Sequence, residues 1–305
     1  MSGINIGRSA LLALTPFLAE AAQADDKSWS LEADVSAGIE YDDNISVTEL
    51  DVNTAQDDFK AVLDASLGVE NEFGQGTEFD LSYNFSQSLH FDFSQFDIQT
   101  HRISANLEHD LGDVSVGALY NFSYATLGGN GFLTLQQLSP FVSAYLGKKV
   151  LVRAAYEYKD KNFKNRVDRD ADVHAGGLDV YIFINGIRTF VLAGYKYESQ
   201  DATAPQFDFT GHNFKARFSQ RFPIGKRDAE FKLGWRYEAR NYDSITPSID
   251  AIRDDDRHKF QAEVEIPVTE YFYLAFEYEY ADFSSNLPSA NYTQNLASVR
   301  IGAEF

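Results

Sequence analysis

The chain has no cysteine, one methionine and two tryptophans in 305 residues, and its 26 basic residues face 46 acidic ones for a formal charge of −20. Without cysteine there is no disulfide framework, no thiolate metal site and no thiol nucleophile. The shortage of Lys and Arg excludes a nucleic-acid partner, because a phosphate backbone needs a basic footprint. Long apolar runs are missing as well, since no uncharged stretch reaches the ~18 residues of a membrane helix. Aromatic residues are plentiful, with 17 Tyr and 25 Phe in a chain that is 44% hydrophobic. That composition excludes disorder, and the length allows one large domain or two small ones.

Residues 1–24 read as an export signal. Arg8 precedes an apolar stretch from Ser9 to Leu18, and Ala22-Gln23-Ala24 is a small-x-small cleavage site followed by Asp25-Asp26. A short buried helix is the alternative. The expected layout is a signal peptide over 1–24 and a single domain over 25–305, exported from a Gram-negative cytoplasm.

From Leu31 onward the apolar residues alternate. Leu31, Ala33, Val35, Ala37, Ile39 and Tyr41 share one face, while Glu32, Asp34, Ser36, Gly38 and Glu40 share the other. The same split runs through Phe59 to Val69, Phe79 to Phe85, Val114 to Tyr124, Val150 to Tyr158, Ala229 to Tyr237 and Leu274 to Tyr280. Strict period-two alternation signals half-buried strands. No 3.6-residue period competes, so the fold class is all-β.

The strands read as about ten to thirteen residues, longer than the roughly five or six of soluble sandwiches. Short connections fall at Asn71 to Gly76, Asp110 to Gly112, Gly147 to Lys149, Asn185-Gly186, Pro223 to Asp228 and Pro267 to Glu270. Long polar ones fall at Asp42 to Asp57, Gln87 to Asp97, Leu127 to Gly131, Asp160 to Asp170, Ser199 to Phe207, Asp243 to Asp256 and Asp282 to Asn291. Thirteen connections join fourteen strands, and long loops on one side with tight turns on the other define a transmembrane antiparallel up-and-down barrel of the outer membrane. Closure also removes exposed strand edges. Asn185-Gly186 suits a two-residue hairpin with positive φ at both positions, on the periplasmic side.

The outward face ends in aromatics beside the long loops (Tyr41, Tyr83, Tyr156, Tyr195, Trp235, Tyr278 and their neighbours), where an interfacial girdle belongs. The last strand alternates Val299, Ile301, Ala303 up to Phe305, an ending that resembles the C-terminal signal read by the barrel-assembly machinery. A secreted soluble sandwich or lipocalin-like barrel is the alternative, and it requires a second apolar face that the sequence does not show.

Certain stretches carry a family resemblance. Tyr41-Asp42-Asp43-Asn44-Ile45 closes the first strand, Arg253 to Arg257 precedes the twelfth, and Ser285-Asn286-Leu287-Pro288 runs into Tyr292 and Asn295. This pattern resembles the barrel of the surface lipoprotein assembly modifier family and related outer-membrane barrels, over essentially the whole mature chain. The resemblance implies a surface lipoprotein as partner. Family members that move lipoproteins also carry an N-terminal periplasmic tetratricopeptide domain, for which the mature chain leaves about six residues ahead of the first strand.

No nucleophile elbow, Walker loop or paired-His metal motif occurs, and no enzyme, cofactor or metal site is implied. The six His stand singly, and His212 with Ser219 or His101 with Ser104 are paired only by sequence proximity, so rim or girdle roles are expected. Acidic clusters such as Asp42-Asp43, Asp168/Asp170/Asp172 and Asp254 to Asp256 are solvated loops or divalent-cation sites bridging to lipopolysaccharide. The inward face is more informative. An acidic wall comprises Glu32, Asp34, Glu40, Asp64, Glu70, Glu78 and Asp80, continued through closure by Glu263, Glu265, Glu277 and Glu279 and interrupted by Arg300. A basic wall comprises Arg153, Lys196, Lys215, Arg217, Lys232, Arg236 and Arg240. Fourteen strands leave space in the lumen, and its charges need water or each other. A wet lumen makes a porin-like passive pore for small polar solutes, with Lys232 in water; a cross-strand ion-pair network plugging the lumen is the alternative. A surface-lipoprotein export barrel and an adhesive barrel contacting outer-membrane lipids and lipopolysaccharide remain as other functions.

Overall fold

A computed structural model describes residues 29–74 and 76–305; the signal segment 1–24 lies outside the described residues. Fourteen antiparallel strands run β1 (Ser30–Asp42), β2 (Asp58–Phe73), β3 (Thr77–His90), β4 (Ile98–Asp110), β5 (Val114–Leu127), β6 (Asn130–Leu146), β7 (Val150–Phe163), β8 (Ala171–Phe183), β9 (Thr189–Ala202), β10 (Phe209–Ile224), β11 (Arg227–Thr246), β12 (Ala251–Pro267), β13 (Phe272–Ser285) and β14 (Tyr292–Glu304). Each pairs with its sequence neighbours, and β1 closes on β14 with Gly38 opposite Arg300. Every strand except the two flanking the closure is thus joined by local hairpins, and no edge remains for another chain to extend.

Alternation assigns the faces. Leu31, Val35 and Ile39 are exposed on the outside of β1, while Ser36, Glu40 and Asp42 between them are buried. Leu63, Leu81, Ile103, Leu138, Leu178, Leu233, Phe276 and Val299 continue the exposed apolar band around the barrel. That band is the lipid-facing surface of an outer-membrane barrel.

The strands are longer than the sequence suggests, 13 to 20 residues. A span needs only ~9–11 residues, so the hairpins project beyond the bilayer on the loop side. The segment Asp243 to Asp256 is accordingly not a loop: Thr246 pairs with Ala251, and the β11–β12 hairpin continues past a register shift between Asn241 and Ile245. Leu127 to Gly131 contracts to a two-residue turn with positive φ at both Gly128 and Gly129. Asn185-Gly186, by contrast, lies in a five-residue connection between Phe183 and Thr189, and only Gly186 has positive φ. A two-residue type I′ hairpin requires it at both central residues, a condition that Gly128-Gly129 meets and Asn185-Gly186 does not.

Four loops on the projecting side share one closure. A 3₁₀ turn precedes Asp97, Asp170, Asp208 and Asn291, and each side chain accepts the backbone N–H of the last or near-last residue of the preceding strand: His90 (2.7 Å), Phe163 (2.6 Å), Ala202 (2.6 Å) and Ser285 (3.4 Å). These Asx contacts satisfy strand-end donors that would otherwise be orphaned.

Below the loops lies a ring of outward-facing pairs, one per hairpin. Tyr83, Tyr156 and Tyr195 hydroxyls hydrogen-bond Nδ1 of His101, His174 and His212, and Trp235 donates to His258. Tyr41, Tyr120 and Tyr278 donate to Asp57, Gln136 and Asn295. Four of the six histidines therefore belong to the girdle, and two of them, His101 and His212, sit on the opposite face from Ser104 and Ser219, which point inward to Asn121 and Glu230.

Candidate functional site

The inner surface carries charge of both signs, and cross-strand contacts arrange it. On the acidic side Arg300 reaches Asp64 (2.6 Å), Glu40 (3.5 Å) and Glu277 (3.6 Å). Lys60, which is buried, bonds Glu40 (2.8 Å) and Asp42 (3.3 Å). Asp34 accepts from the Tyr273 hydroxyl at 3.0 Å, Glu279 meets Lys259 at 2.6 Å, and Glu265 lines the same space. Nearer the turn end Asp80 accepts from Asn106, and Glu32, Glu70 and Glu78 make no ion pair with a described residue.

Around the other half of the barrel the basic residues are interleaved with carboxylates. Lys196 contacts Glu198 (3.2 Å) and Glu157 (3.5 Å), Lys215 contacts Asp179 (2.9 Å), and Arg240 contacts Glu238 (2.8 Å). Arg153 stacks on Phe141 at 3.5 Å. Arg217 faces inward beside Gly234, and Arg236 lies in register between Lys215 and Lys259. Lys232 is only 7% exposed and bonds Glu263 at 3.1 Å; it does not stand in water. Inward parity places Glu157, Asp179, Glu198, Glu230 and Glu238 beside these cations, so the wall is mixed in sign. Buried charges demand such partners.

Glycine makes several of these reaches possible. Lys215 of β10 crosses β9 at Gly194 to meet Asp179 of β8, and Arg300 crosses β1 at Gly38 to meet Asp64 of β2. Tyr273 crosses β14 at Gly302 to meet Asp34. A Cβ at any of the three would collide with the side chain passing over it.

Apolar residues fill part of the lumen, against the sequence expectation of a wholly polar inner face. Leu151, Phe183 and Phe190 cluster with Tyr145 and Tyr181 near the turns of β6 to β9. At the opposite end Val47 and Leu50, from the β1–β2 connection, pack on Ala125, Phe132, Leu133 and Phe163. That 15-residue connection (43–57, loop 1) is therefore folded across the mouth.

Its tip is held by buried charge. Asp51, in the left-handed region at φ 54°, accepts from Arg253 (2.7 Å) and Arg169 (2.8 Å), with Arg257 at 3.6 Å. Asp255 accepts from both Arg253 and Arg257 at 2.8 Å and from the Ser285 hydroxyl at 2.6 Å. Arg169 also donates to the Glu49 and Leu50 carbonyls and stacks on Phe207. Burial opposes the charge on Asp51, but the hydrogen bond and field of Arg253, with Arg169 and Arg257, hold its carboxyl well below the usual range. The Lys161 ammonium beside Glu49 (3.5 Å) brings that carboxyl down to about 2. The flanks of the loop are tied to β14, where Asn295 donates twice to Asp43 (2.6 Å each) and the Asn44 amide donates to the Thr293 carbonyl. The stretches that carry the family resemblance thus meet in space at this closure, which sequence reading did not identify as a site.

Beside loop 1, a cavity of about 270 Å³ follows the acidic half of the barrel. It extends from Asp42, Ser46 and His90 at the loop end to Asp34, Glu265 and Tyr273 towards the turns. The C-terminal strand turns Val299 and Ile301 to lipid, and Phe305 pairs with Ala33 and stacks on Tyr271.

Among solved structures, the anion-selective porin from Comamonas acidovorans aligns over 92% of this chain and 100% of its own, at 10% identity and TM-score 0.53. OmpT, an outer membrane protein of Vibrio cholerae, aligns over 94% and 100% at 9% identity and TM-score 0.54. CdiB from Acinetobacter baumannii aligns over 93% of this chain and 61% of its own at 11% identity and TM-score 0.50. At such identities the likeness is one of fold, that of an outer-membrane β-barrel. No curated protein matches the chain significantly. A sequence model of the surface lipoprotein assembly modifier family matches residues 29–305, all fourteen strands, and the chain belongs to that family.

Proposed function

We propose that the protein is a porin-like passive pore for small polar solutes, without enzymatic activity, in which loop 1 narrows the outer mouth. The observation that carries this reading is the cavity along the acidic half. From Asp34 to Asp42 it follows nine residues of β1, about 20 Å of barrel height for the rises between them at ~3.3 Å each and ~40° tilt. Its lining is carboxylates, hydroxyls and amides, a surface that replaces the hydration of a polar solute. Conductance of purified protein in planar bilayers tests it. Discrete steps that grow when residues 46–54 are deleted support the pore; silence from both proteins overturns it.

Family membership favours a second reading, in which the barrel assists the assembly of a surface lipoprotein and loop 1 is the element displaced by the client. Deleting the gene and measuring lipoprotein exposed on intact cells tests this reading. Unchanged exposure overturns it.

A further inference from the structure

We infer that the surface beneath loop 1 is a binding site for an acidic peptide segment of a partner protein, occupied in this structure by loop 1 itself. The inference rests on the second functional reading, in which a client displaces loop 1, and names what the barrel recognises in that client. The occupant is the 3₁₀ turn Thr48–Leu50 with Asp51 after it. Glu49 lies beside Lys161 at 3.5 Å, and Asp51 meets Arg253 and Arg169 at 2.7 and 2.8 Å. Leu50, between the two acids, packs into the apolar cluster of Phe132, Leu133 and Phe163. Arg169 also holds the main chain, donating to the carbonyls of Glu49 (3.0 Å) and Leu50 (3.3 Å). All these receiving groups belong to β6, β7, β12 and the β7–β8 connection; the loop contributes none of them.

The groups that loop 1 covers fix the chemistry of any other occupant. Among the described residues neither Lys161 nor Arg169 makes another ion pair. Without the loop, Arg253 and Arg257 would share Asp255, with Glu238 a further 3.9 Å from Arg257. Buried charges demand replacement partners. An inorganic anion would supply charge, but it would use neither the apolar pocket nor the donors that Arg169 aims at a peptide backbone. A segment with two carboxylates flanking an aliphatic side chain uses all three.

Loop 1 fills the site imperfectly. Arg257 approaches Asp51 only to 3.6 Å, and its buried Nε has no hydrogen-bond partner. Asp51 (φ 54°) and Ala55 (φ 52°) both adopt the left-handed region. That region crowds a β-carbon, and Ala has no polar side chain to compensate. Strain of this kind accompanies segments that switch between states. A separate chain, free of the loop's fixed ends, need not adopt the same conformation.

The test is fluorescence anisotropy with a labelled peptide of the sequence of residues 46–54, added to the detergent-folded protein and to a variant lacking 46–54. Saturable binding to the deletion variant is expected. Binding to the unmodified protein should be at least about tenfold weaker, because the tethered loop competes at a high effective concentration. A peptide with both acids changed to amides should bind about tenfold more weakly, as should the deletion variant carrying Arg169→Gln. Asp113→Asn, in the exposed β4–β5 turn, should change nothing. A Gly/Ser peptide retaining only the side chains of Glu49, Leu50 and Asp51 should compete. Heat-modifiable electrophoretic mobility verifies folding, and E49Q/D51N in the full-length chain, which loosens the loop without removing it, should also bind more peptide than the unmodified protein. Absence of binding, equal affinity for acidic and amidated peptides, failure of the Gly/Ser peptide to compete, or displacement by tripolyphosphate as effective as by unlabelled peptide overturns the proposal. Peptide binding with unchanged surface lipoprotein on gene deletion retains the site and removes the assembly role. Lost lipoprotein without peptide binding retains the role and removes the site.

Discussion

Asp51 in loop 1 and Arg253 on β12, 202 residues apart in sequence, meet at 2.7 Å with side chains 6% and 2% exposed. The contact fastens loop 1 across the mouth of the barrel. Removing the arginine leaves Asp51 and Asp255 buried beside fewer cations, and breaking a buried pair from one side typically costs about 3–5 kcal/mol. Arg253→Ala should therefore release loop 1 while the barrel stays folded. Limited proteolysis should cut within 43–57 and conductance should rise; a loop as resistant as in the unmodified protein would show that the apolar contacts of Val47 and Leu50 suffice.

Acid should loosen the same loop. A carboxyl whose pKa is depressed by folding contributes stability above its unfolded value and loses it as pH falls through the folded one. For Glu49 that window runs from 4.5 down to about 2, and Asp51 shifts in the same direction. Hydrogen exchange of amides 44–56, corrected for intrinsic rates and compared with barrel amides, should accelerate from pH 5 to pH 3. Constant protection would assign the closure to packing alone.

Neighbours Lys232 and Leu233 face opposite environments, buried ion pair and lipid. Leu233→Arg should cost about 2–4 kcal/mol if near the midplane, and the cost should depend on bilayer thickness. Lys232→Gln should cost about 1.5–3 kcal/mol by stranding Glu263, with much of it restored in the double variant with Glu263→Gln. Reversible unfolding from lipid vesicles measures both. A Leu233→Arg variant as stable as the unmodified protein, at every bilayer thickness, would mean that the strand faces are reversed.

Orientation can be read by thiol labelling, since the native chain has no cysteine. Ser248→Cys, exposed at the tip of the β11–β12 hairpin, should label on intact cells, and Gly186→Cys only after the outer membrane is opened. Leu50 is unsuitable because it packs into the mouth. Labelling at 186 alone on intact cells would invert the topology.

Period-two patterning was enough to determine the all-β class, fourteen strands, the lipid-facing band and the inward parity of each charged residue, because a side chain's face depends only on its position along its own strand. Which charges meet was a different matter. Lys215 to Asp179 and Arg300 to Asp64 skip a strand, and the glycines that clear their path, Gly194 and Gly38, look in sequence like any other small inward residue. The same holds for the lumen's aromatic cluster, whose members come from separate hairpins. Loop 1 is the clearest case. Its acidic, polar sequence reads as a solvated loop, yet barrel closure brings β14 beside β1 and β12 within reach of loop 1, and Arg253, Arg257, Asn295 and Ser285 converge on the closure it forms. Those contacts depend on inter-strand register and on the return of the last strands to the first, which no local pattern encodes, so only the tertiary structure decided that loop 1 covers the mouth and that a polar cavity lies along one side.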